Sequence, residues 1–539
     1  MQLTATIANT LWSASNLPAY ARFRRALHKP EIAQQRKLRE YLQHNAHTAF
    51  GKAHGFGTIR SYEEFARRVP LADYDSFVPW IARIRRGETN VLTHERVTHL
   101  IPTSGSTGAR KLIPFTAGLQ REFDAAIGAW LIDLQRESPG LLGGPAYWSV
   151  TPVLGDEIVE KSAVPIGFDS DMAYLGGARQ RLAQAVMAVP PNVQHAGSLD
   201  AFRYKTLLHL LACRELRLIS VWHPSFLTLL LDALPTHWEK LLDQIAHGTG
   251  SSRVPMPGRA DELRFANPLK PTTLWPELRV VSCWGDGAAA LKLTDLHRRF
   301  PNVLVQAKGL IATEAFVTLP FSGQYPLAIR SHFFEFIDSA GTVFPVEALH
   351  EGEEYEVVVT TGGGLWRHRL RDRVVVTGWL AKTPSLKFLD RAGNISDRFG
   401  EKLSEPFVAE VLREMFRFET PHFALLAPDE DETGCRYTLY VEGAAHPHWA
   451  ATLDQALRRN PNYAYCRDLG QLLPVRVFTI SGRSFEIFAT RQAAHGTRLG
   501  DIKATALCSK SGWSNTFPGS YMPGIRKHSD SAANRHVTR

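Results

Sequence analysis

Residues 103–111 read Thr-Ser-Gly-Ser-Thr-Gly-Ala-Arg-Lys, a composition that suits the binding of phosphate groups. Glycines let backbone amides turn toward one point, while hydroxyl groups and a lysine add further donors. A Walker A loop needs a glycine five positions after its first one, and Arg110 stands there, which argues against a P-loop nucleotidase. Such clusters also occur in ordinary turns, so the loop alone leaves that alternative open. The candidate polyphosphate ligands are Ser104, Gly105, Ser106, Thr107, Gly108 and Lys111.

The elements on either side of the loop must hold it in place. The apolar stretch 91–101 predicts a strand that delivers the loop to the edge of a sheet. After Pro114, apolar side chains recur at helical spacing over Thr116 to Glu137, which predicts a helix with one buried face. The expected order is therefore strand, loop and helix.

The longer string Thr103 to Pro114, which ends in Lys-Leu-Ile-Pro, resembles the first signature of adenylate-forming enzymes. Specifically, it is similar to the auxin-responsive acyl-acid amido synthetases, the Gretchen Hagen family, whose plant members conjugate jasmonate or indoleacetate to amino acids. Residues 71–74 and 79–88 resemble the approach to that loop, and two further signatures follow in the family's order. The resemblance covers roughly residues 30 to 505.

The second signature is Lys308-Gly309-Leu310-Ile311-Ala312-Thr313-Glu314, after a predicted strand over 303–306 that we expect at the same sheet edge as the loop. The resemblance implies that Glu314 holds magnesium and that Thr313 contacts the α-phosphate, and hard carboxylate oxygens suit Mg²⁺. Leu310 stands where family members commonly carry tyrosine. Another aromatic side chain must then stack on the adenine.

The third signature is Trp366-Arg367-His368-Arg369-Leu370-Arg371-Asp372. The resemblance makes Asp372 the ligand of the ribose hydroxyls, a task that suits a group with only acceptor oxygens. Arg371 replaces a usual glycine, which would either reshape the ribose pocket or place a solvated arginine on a strand. We expect the second.

The resemblance also places a hinge at Asp390-Arg391, with Arg391 at the nucleotide. If so, a small domain rotates between the two half-reactions. Lys503 and Lys402 are the candidates for a catalytic lysine that enters the site, where a cation would stabilise the charge of the transition state. Aromatic residues at 220–226 and 332–336 lie where the family builds its acid pocket, although an aromatic strand is more often plain core.

Bulk properties narrow the class of protein. The 539 residues contain no apolar run long enough to span a membrane and no secretory signal at the start. Five widely spaced cysteines argue against a disulfide framework or a zinc site, which favours a cytoplasmic protein. The formal charge of +9 is concentrated partly in the tail from Lys510, and the sequence has no basic stripe with stacking aromatics. We therefore expect neither membrane nor nucleic-acid binding.

The expected fold is α/β. Strands and helices alternate between residues 146 and 306, which predicts a mainly parallel sheet, and strands in succession past Ser331 predict antiparallel pairing or a small barrel. The predicted domains are a large N-terminal adenylate-forming domain over 1–389, a smaller mobile α+β domain over 390–509, and a disordered tail over 510–539.

These patterns together predict a two-step ligase that uses ATP and Mg²⁺. An organic acid is first adenylated, and an amine, expected to be an amino acid, then attacks the acyl adenylate to give an amide and AMP. One alternative is transfer of the acyl group to coenzyme A or a carrier thiol, and another is a non-catalytic nucleotide-binding protein. The sequence leaves the acid, the amine and the oligomeric state open and favours a monomer.

Overall fold

The computed structural model describes residues 2–103, 111–149, 162–167, 177–248, 254–286, 289–391, 395–396, 398–399, 401–443, 445–493 and 505–522. The chain divides into two compact units, one of Met1–Gly393 with Arg491–Ala504 and the other of Asn394–Thr490 with Thr505–Arg539. No helix within the described ranges is both long and apolar enough to cross a bilayer.

The first unit is built from helices around three sheets. Its helices are α1 (Gln2–Ala26), α2 (Pro30–Asn45), α3 (Ala49–Ala53), α4 (Tyr62–Arg68), α5 (Tyr74–Arg85), α6 (Ala117–Glu137), α7 (Gly177–Val186), α8 (Leu199–Ala212), α9 (Pro224–Asp232), α10 (Leu234–His247), α11 (Pro257–Arg264), α12 (Pro271–Leu274) and α13 (Ala290–Arg299). Its strands are β1 (His99–Pro102), β2 (Leu112–Phe115), β3 (Ala146–Trp148), β4 (Leu218–Ser220), β5 (Val280–Trp284), β6 (Leu304–Lys308), β7 (Phe333–Ile337), β8 (Val343–Pro345), β9 (Glu354–Thr360), β10 (His368–Leu380) and β11 (Thr383–Arg391).

Strands β3, β4, β5 and β6 form a parallel sheet in that order, as the alternation of strands and helices predicted. One face packs on α1 and α6 through Trp12 and Trp130, and the other packs on the apolar side chains of α8 to α13. Both faces are covered because each crossover helix lies against the sheet. The carboxyl ends of the four strands therefore meet at one edge, where ligands commonly bind in such sheets.

Strands β7 to β11 form an antiparallel sheet in the order β11-β10-β9-β7-β8, so of the two expected arrangements antiparallel pairing is the one present. The long strand β10 pairs with β9 up to Arg369 and again from Arg373, with a register shift between them. Residues 370–372 therefore bulge out of the ladder, which re-aims their side chains.

The predicted loop is flanked differently from our expectation. Only His99–Pro102 of the apolar stretch is a strand, and it pairs antiparallel with β2, which lies between the loop and α6. The hairpin β1-β2 is a separate sheet, so the prediction that one sheet edge carries both the first and second signatures is wrong. Helix α6 begins where expected, because the Thr116 hydroxyl caps it by accepting a hydrogen bond from the Leu119 amide.

The second unit has its own mixed sheet of four strands that neighbour one another in chain order, with the second and third strands parallel. Its elements are β12 (Ile395–Ser396), β13 (Leu403–Ser404), α14 (Glu405–Met415), β14 (Phe423–Asp431), β15 (Gly434–Glu442), α15 (Trp449–Leu457), α16 (Pro461–Asp468), β16 (Leu473–Ile480), α17 (Ser484–Ala493) and β17 (Gly519–Tyr521). The chain crosses the unit boundary within α17.

The prediction of a disordered tail from Lys510 is wrong for residues 510–522. Trp513 and Phe517 are buried and stack on each other with ring centroids 5.2 Å apart, and β17 adds an edge strand to the sheet through β16. Two large aromatic side chains supply enough apolar area to hold this short segment in place despite its polar composition. Residues 523–539 lie outside the described ranges.

Candidate active site

Of the predicted phosphate ligands, Lys111 is the one whose position the structure describes; Ser104, Gly105, Ser106, Thr107 and Gly108 lie outside the described residues. The Lys111 carbonyl accepts a hydrogen bond from the Thr103 amide at 2.9 Å, which closes the base of the loop. Its Nζ lies 5.5 Å from the centre of the Tyr74 ring, within the range of a cation–π contact. The loop lysine is thus held near the start of α5.

Tyr74 is fixed from two sides by the backbone of one residue. Its hydroxyl accepts a hydrogen bond from the Leu112 amide at 2.6 Å and donates one to the Leu112 carbonyl at 3.2 Å. Burial, opposed by the Leu112 hydrogen bond and reinforced by the charge of Glu314, raises the pKa of Tyr74. The phenol therefore stays protonated and serves as a fixed support for β2.

The second signature forms a tight turn that presents Thr313 and Glu314. The Ala312 amide donates to the Ala315 carbonyl at 2.9 Å, and Ile311 and Phe316 form an antiparallel bridge beneath the turn. A Cβ atom at Gly309 would lie 2.1 Å from the Thr318 carbonyl oxygen, so only glycine permits this close approach. Glycine is therefore required at position 309 because the backbone folds back against it at Thr318.

Leu310, which replaces the family's tyrosine, is partly buried against the core of the first unit, and its amide donates to the Thr318 hydroxyl at 2.8 Å. Its side chain is therefore occupied in packing. The expectation that another aromatic residue stacks on the adenine stays a prediction.

Glu314 is 5% exposed and has no hydrogen-bond or ion-pair partner among the residues that the structure describes. Its charge acts on Tyr74 and on His368. A buried carboxylate without a partner is costly, and a cation relieves that cost. The chemistry of Glu314 therefore fits Mg²⁺, which typically takes one or two carboxylates with phosphate oxygens as further ligands. No group of three or more potential metal-ligating side chains occurs within the described ranges.

His368 connects the third signature with the other two. It is 2% exposed, and its Nδ1 donates to the Ala72 carbonyl at 3.2 Å, which leaves Nε2 as the acceptor nitrogen. Burial lowers the pKa of His368, while the charges of Glu314 and Lys111 act on it in opposite directions. The charges of Glu314 and Lys111 thus act on a residue of the third signature, so the three signatures lie near one another although they are far apart in the chain.

The bulge in β10 places Asp372 and Arg371 beside this region. Asp372 is buried, and its Cα lies opposite that of Arg391 at the end of β11. Arg371 has a φ of 65° and binds the Asp73 carboxylate with Nε and Nη2 at 2.8 and 2.7 Å. The expectation of a merely solvated arginine is therefore wrong, because Asp73 holds the guanidinium in place.

A buried ion pair between Arg367 and Glu335 holds the third signature in place. Arg367 donates to Glu335 at 2.8 to 3.1 Å and to the carbonyls of Ala66 and Val69 at 2.8 Å, and Tyr62 donates to Glu335 at 2.9 Å. Burial and the adjacent Glu335 raise the pKa of Tyr62 strongly. This network fixes β10 to α4, and sequence reasoning missed it because its members are far apart in the chain.

A second network surrounds Glu122 of α6. Its carboxylate accepts hydrogen bonds from the Tyr41 hydroxyl at 2.5 Å and from His332 Nδ1 and the Gly362 amide, both at 2.9 Å. His332 Nε2 in turn accepts from the Phe316 amide at 3.0 Å. Glu122 therefore ties the helix after the loop to the segment that follows the second signature.

The two predicted mobile lysines have different outcomes. Lys503 lies outside the described residues. Lys402 belongs to the second unit, is exposed, adopts a φ of 44°, and accepts a hydrogen bond at its carbonyl from Asn460 at 3.3 Å. Its ammonium group is thus accessible to solvent. For Arg391 the structure gives only the backbone position.

Of the aromatic residues expected to form the acid pocket, some are buried in the core and others are exposed. Phe333, Phe334 and Phe336 of β7 are buried in the cores of the first unit, so they are packing residues. Trp222, in contrast, is 36% exposed and lies 5.5 Å from Trp284, centroid to centroid, at the carboxyl edge of the parallel sheet. An aromatic surface therefore exists at the strand ends.

Three family models match this chain: the GH3 family N-terminal domain over residues 19–305, the central domain over 325–391 and the C-terminal domain over 407–512. The chain belongs to the GH3 family. The resemblance drawn from the signatures is thereby confirmed.

Named relatives and solved structures agree with this membership. The indole-3-acetic acid-amido synthetase GH3.3 of Arabidopsis thaliana is 22% identical over 77% of this chain and 75% of its own length. The jasmonoyl–L-amino acid synthetase JAR6 of Nicotiana attenuata is 23% identical over 67% of this chain and 69% of its own length. The structure of the AtGH3.15 acyl acid amido synthetase in complex with 2,4-DB superposes with a TM-score of 0.81 at 17% identity. The superposition covers 92% of this chain and 95% of that chain. The predicted mixed α/β fold and the enzyme class of an amide-forming ligase are confirmed.

Proposed function

We propose that this chain adenylates a small organic acid with Mg-ATP and then joins the acyl group to an amino acid, releasing AMP and pyrophosphate. The observation that carries the proposal is that the charges of Glu314 and Lys111 both act on His368, one residue from each signature, in a chain of the GH3 family, with Lys111 held at the Tyr74 ring. The acids are aryl, indole or fatty carboxylates. This assignment is supported by relatives named for indole-3-acetic acid and jasmonoyl conjugation.

In the first half-reaction, the acid carboxylate attacks the α-phosphorus of ATP and pyrophosphate leaves. We assign the loop residues Ser104 to Gly108 and Lys111 to the phosphates, Thr313 to the α-phosphate, and Asp372 with Arg391 to the ribose side. Loop amides and a lysine stabilise charge that is spread over the phosphate oxygens. A magnesium ion at Glu314 would neutralise charge on the leaving pyrophosphate, which fits a buried carboxylate that has no partner among the described residues.

In the second half-reaction, an amine attacks the acyl adenylate and AMP leaves. Between the two half-reactions the small domain rotates about a hinge that we assign to the region around Asp390. We assign Lys503, or Lys402 in its place, as the lysine that enters the site for adenylation, where its charge stabilises the α-phosphate and the leaving pyrophosphate. Five free, buried cysteines in the described structure support a reducing, cytoplasmic location.

The test is an analysis of the products from ATP with acids of the three classes, each combined with the twenty amino acids or with coenzyme A. We expect AMP and pyrophosphate that depend on one acid, and an amide that depends on one amino acid. A thioester with coenzyme A would favour the thiol alternative, and ADP with phosphate would overturn the mechanism. ATP that stays intact with every acid would favour a non-catalytic nucleotide-binding protein.

A further inference from the structure

Lys308 ends β6 and is buried at the carboxyl edge of the parallel sheet, with 8% of its surface exposed. Its Nζ donates to the hydroxyl of Ser220 at 2.7 Å and to that of Ser282 at 3.1 Å. Ser220 pairs with Ser282 across β4 and β5, so both hydroxyls lie on the sheet face toward which Lys308 points. Two neighbouring strands thus each supply one hydroxyl acceptor for the same ammonium group.

Two tryptophan rings complete the surroundings of this ammonium group. The Nζ lies 5.4 Å from the ring centre of Trp130 and 5.8 Å from that of Trp222. Trp130 is held in place because its indole nitrogen donates to Gln306 Oε1 at 2.7 Å. Aromatic faces stabilise a cation in this range without satisfying its hydrogen bonds.

Lys308 has no carboxylate within ion-pair distance among the residues that the structure describes, and only two of its three N–H groups have protein acceptors. Cys283 is the titratable group that acts on the pKa of Lys308. Burial raises the pKa of the Cys283 thiol to about 12, so this thiol is neutral. Burial lowers the pKa of Lys308 to about 8, which leaves most of it charged at pH 7. Within the described residues the site is therefore a buried cation without a counter-ion.

Three features show that a ligand could supply that counter-ion. Trp222 is partly open to solvent, so the ammonium group lies behind an accessible aromatic face. The indole nitrogen of Trp148, which packs on Trp130 with centroids 5.9 Å apart, has no acceptor within the described ranges. Lys308 also begins the second signature, so an anion bound there lies at the strand end from which Thr313 and Glu314 follow.

We propose that Lys308 binds the carboxylate of the acid substrate, with Ser220 and Ser282 orienting the ammonium group. The inference rests on the proposed function and adds to it the residue that distinguishes an acid from a neutral molecule of the same shape. The ion pair orients the carboxylate oxygens for attack on ATP. The organic part of the acid lies against the exposed face of Trp222.

The experiment compares Lys308→Met, Lys308→Arg and wild type with an acid from the panel that supports AMP formation and with its primary amide. Calorimetry gives the Kd of each ligand, and AMP release gives the KM for the acid. Lys308→Met should weaken acid binding at least tenfold and raise the KM, while binding of the amide changes less than twofold. Lys308→Arg should retain part of the preference for the acid, because the positive charge remains.

The matched control is Lys240→Met, because Lys240 also contacts an aromatic ring, that of Tyr204 at 5.1 Å, but is exposed. It should leave both ligands unaffected. Equal weakening of acid and amide in Lys308→Met would assign a purely structural role to Lys308. If wild type forms AMP in an acid-dependent way but Lys308→Met binds the acid with an unchanged Kd, this inference alone is overturned. If wild type shows no acid-dependent AMP formation, the proposed function is overturned and the inference with it.

Discussion

Arg371 binds Asp73 through two parallel hydrogen bonds, at 2.8 and 2.7 Å, although the two residues lie 298 positions apart in the chain. Burial alone would raise the pKa of the Asp73 carboxyl, but the hydrogen bond and charge of Arg371 outweigh it and hold that pKa below its ordinary value. The φ of 65° at Arg371 explains why glycine suits this position. The arginine compensates for a strained backbone with an ion pair to the start of α5.

This relationship predicts different stabilities for two small substitutions at Arg371. Arg371→Ala removes the ion pair and keeps the strain of a left-handed backbone, whereas Arg371→Gly removes both the ion pair and that strain. We expect the glycine variant to be about 1 kcal/mol more stable than the alanine variant, since left-handed geometry costs roughly that much without glycine. Urea unfolding measures the difference. Equal stabilities would show that the strain at this bulge is negligible.

The catalytic prediction concerns Glu314. Glu314→Gln keeps the shape and removes the charge that would hold magnesium, so pyrophosphate formation should fall at least a hundredfold, or about 2.7 kcal/mol in activation free energy. Thermal unfolding should change little, because the carboxylate has no partner among the described residues. Thr318→Val is a control for the same turn, since it removes only the hydroxyl that accepts from the Leu310 amide. A normal rate in Glu314→Gln would disprove the magnesium assignment.

The buried pair Arg367–Glu335 predicts a large loss of stability. Arg367→Met leaves Glu335, 1% exposed, as an unpaired buried charge, which should cost about 3 to 5 kcal/mol. The control is Arg298→Met, which breaks an ion pair with Asp295 whose arginine is mostly exposed. That change should cost less than about 0.5 kcal/mol. Similar losses in the two variants, measured by urea unfolding, would contradict the role assigned to burial.

Glu122 predicts a dependence of stability on pH. Burial raises the pKa of its carboxyl, but the hydrogen bond and charge of His332, the charge of Lys37 and the Tyr41 hydroxyl outweigh it, so the folded pKa lies below the ordinary value. The stabilisation is therefore fully present above the unfolded pKa of about 4.3 and is lost as the pH falls through the folded pKa. Glu122→Gln should be less stable than wild type at pH 7, and the difference should shrink below pH 4. A constant difference, followed by urea unfolding at each pH, would contradict the assigned pKa.

The C-terminal segment is testable through Trp513, which is 1% exposed and stacks on Phe488 and Phe517. Trp513→Ala should destabilise the second unit by about 3 to 5 kcal/mol, as for other large-to-small changes in a core. Lys510→Ala, at an exposed position of the same segment, is the matched control and should be near neutral. If both variants unfold like wild type in a thermal scan, the segment does not contribute to the folded unit.

Much of this protein could be predicted from local sequence. The helix over 117–137 and the parallel strands between 146 and 308 follow from apolar periodicity and a capping threonine, which act over a few residues. The family could likewise be identified from short signatures, because their glycines, hydroxyls and charges serve chemistry at fixed spacing. Periodicity failed at residues 510–522, where two aromatic side chains outweigh a polar composition.

Only the tertiary structure decided which residues meet. Lys111, Glu314 and His368 come together although they lie on a hairpin, a turn and an antiparallel strand, because packing between these elements has no local sequence pattern. The ammonium site at Lys308 likewise depends on the register of β4, β5 and β6, which aligns Ser220 with Ser282. The sequence determines which side chains each strand carries. The register between strands that are distant in the chain determines which of those side chains contact the same charged group, as Ser220 and Ser282 contact Lys308.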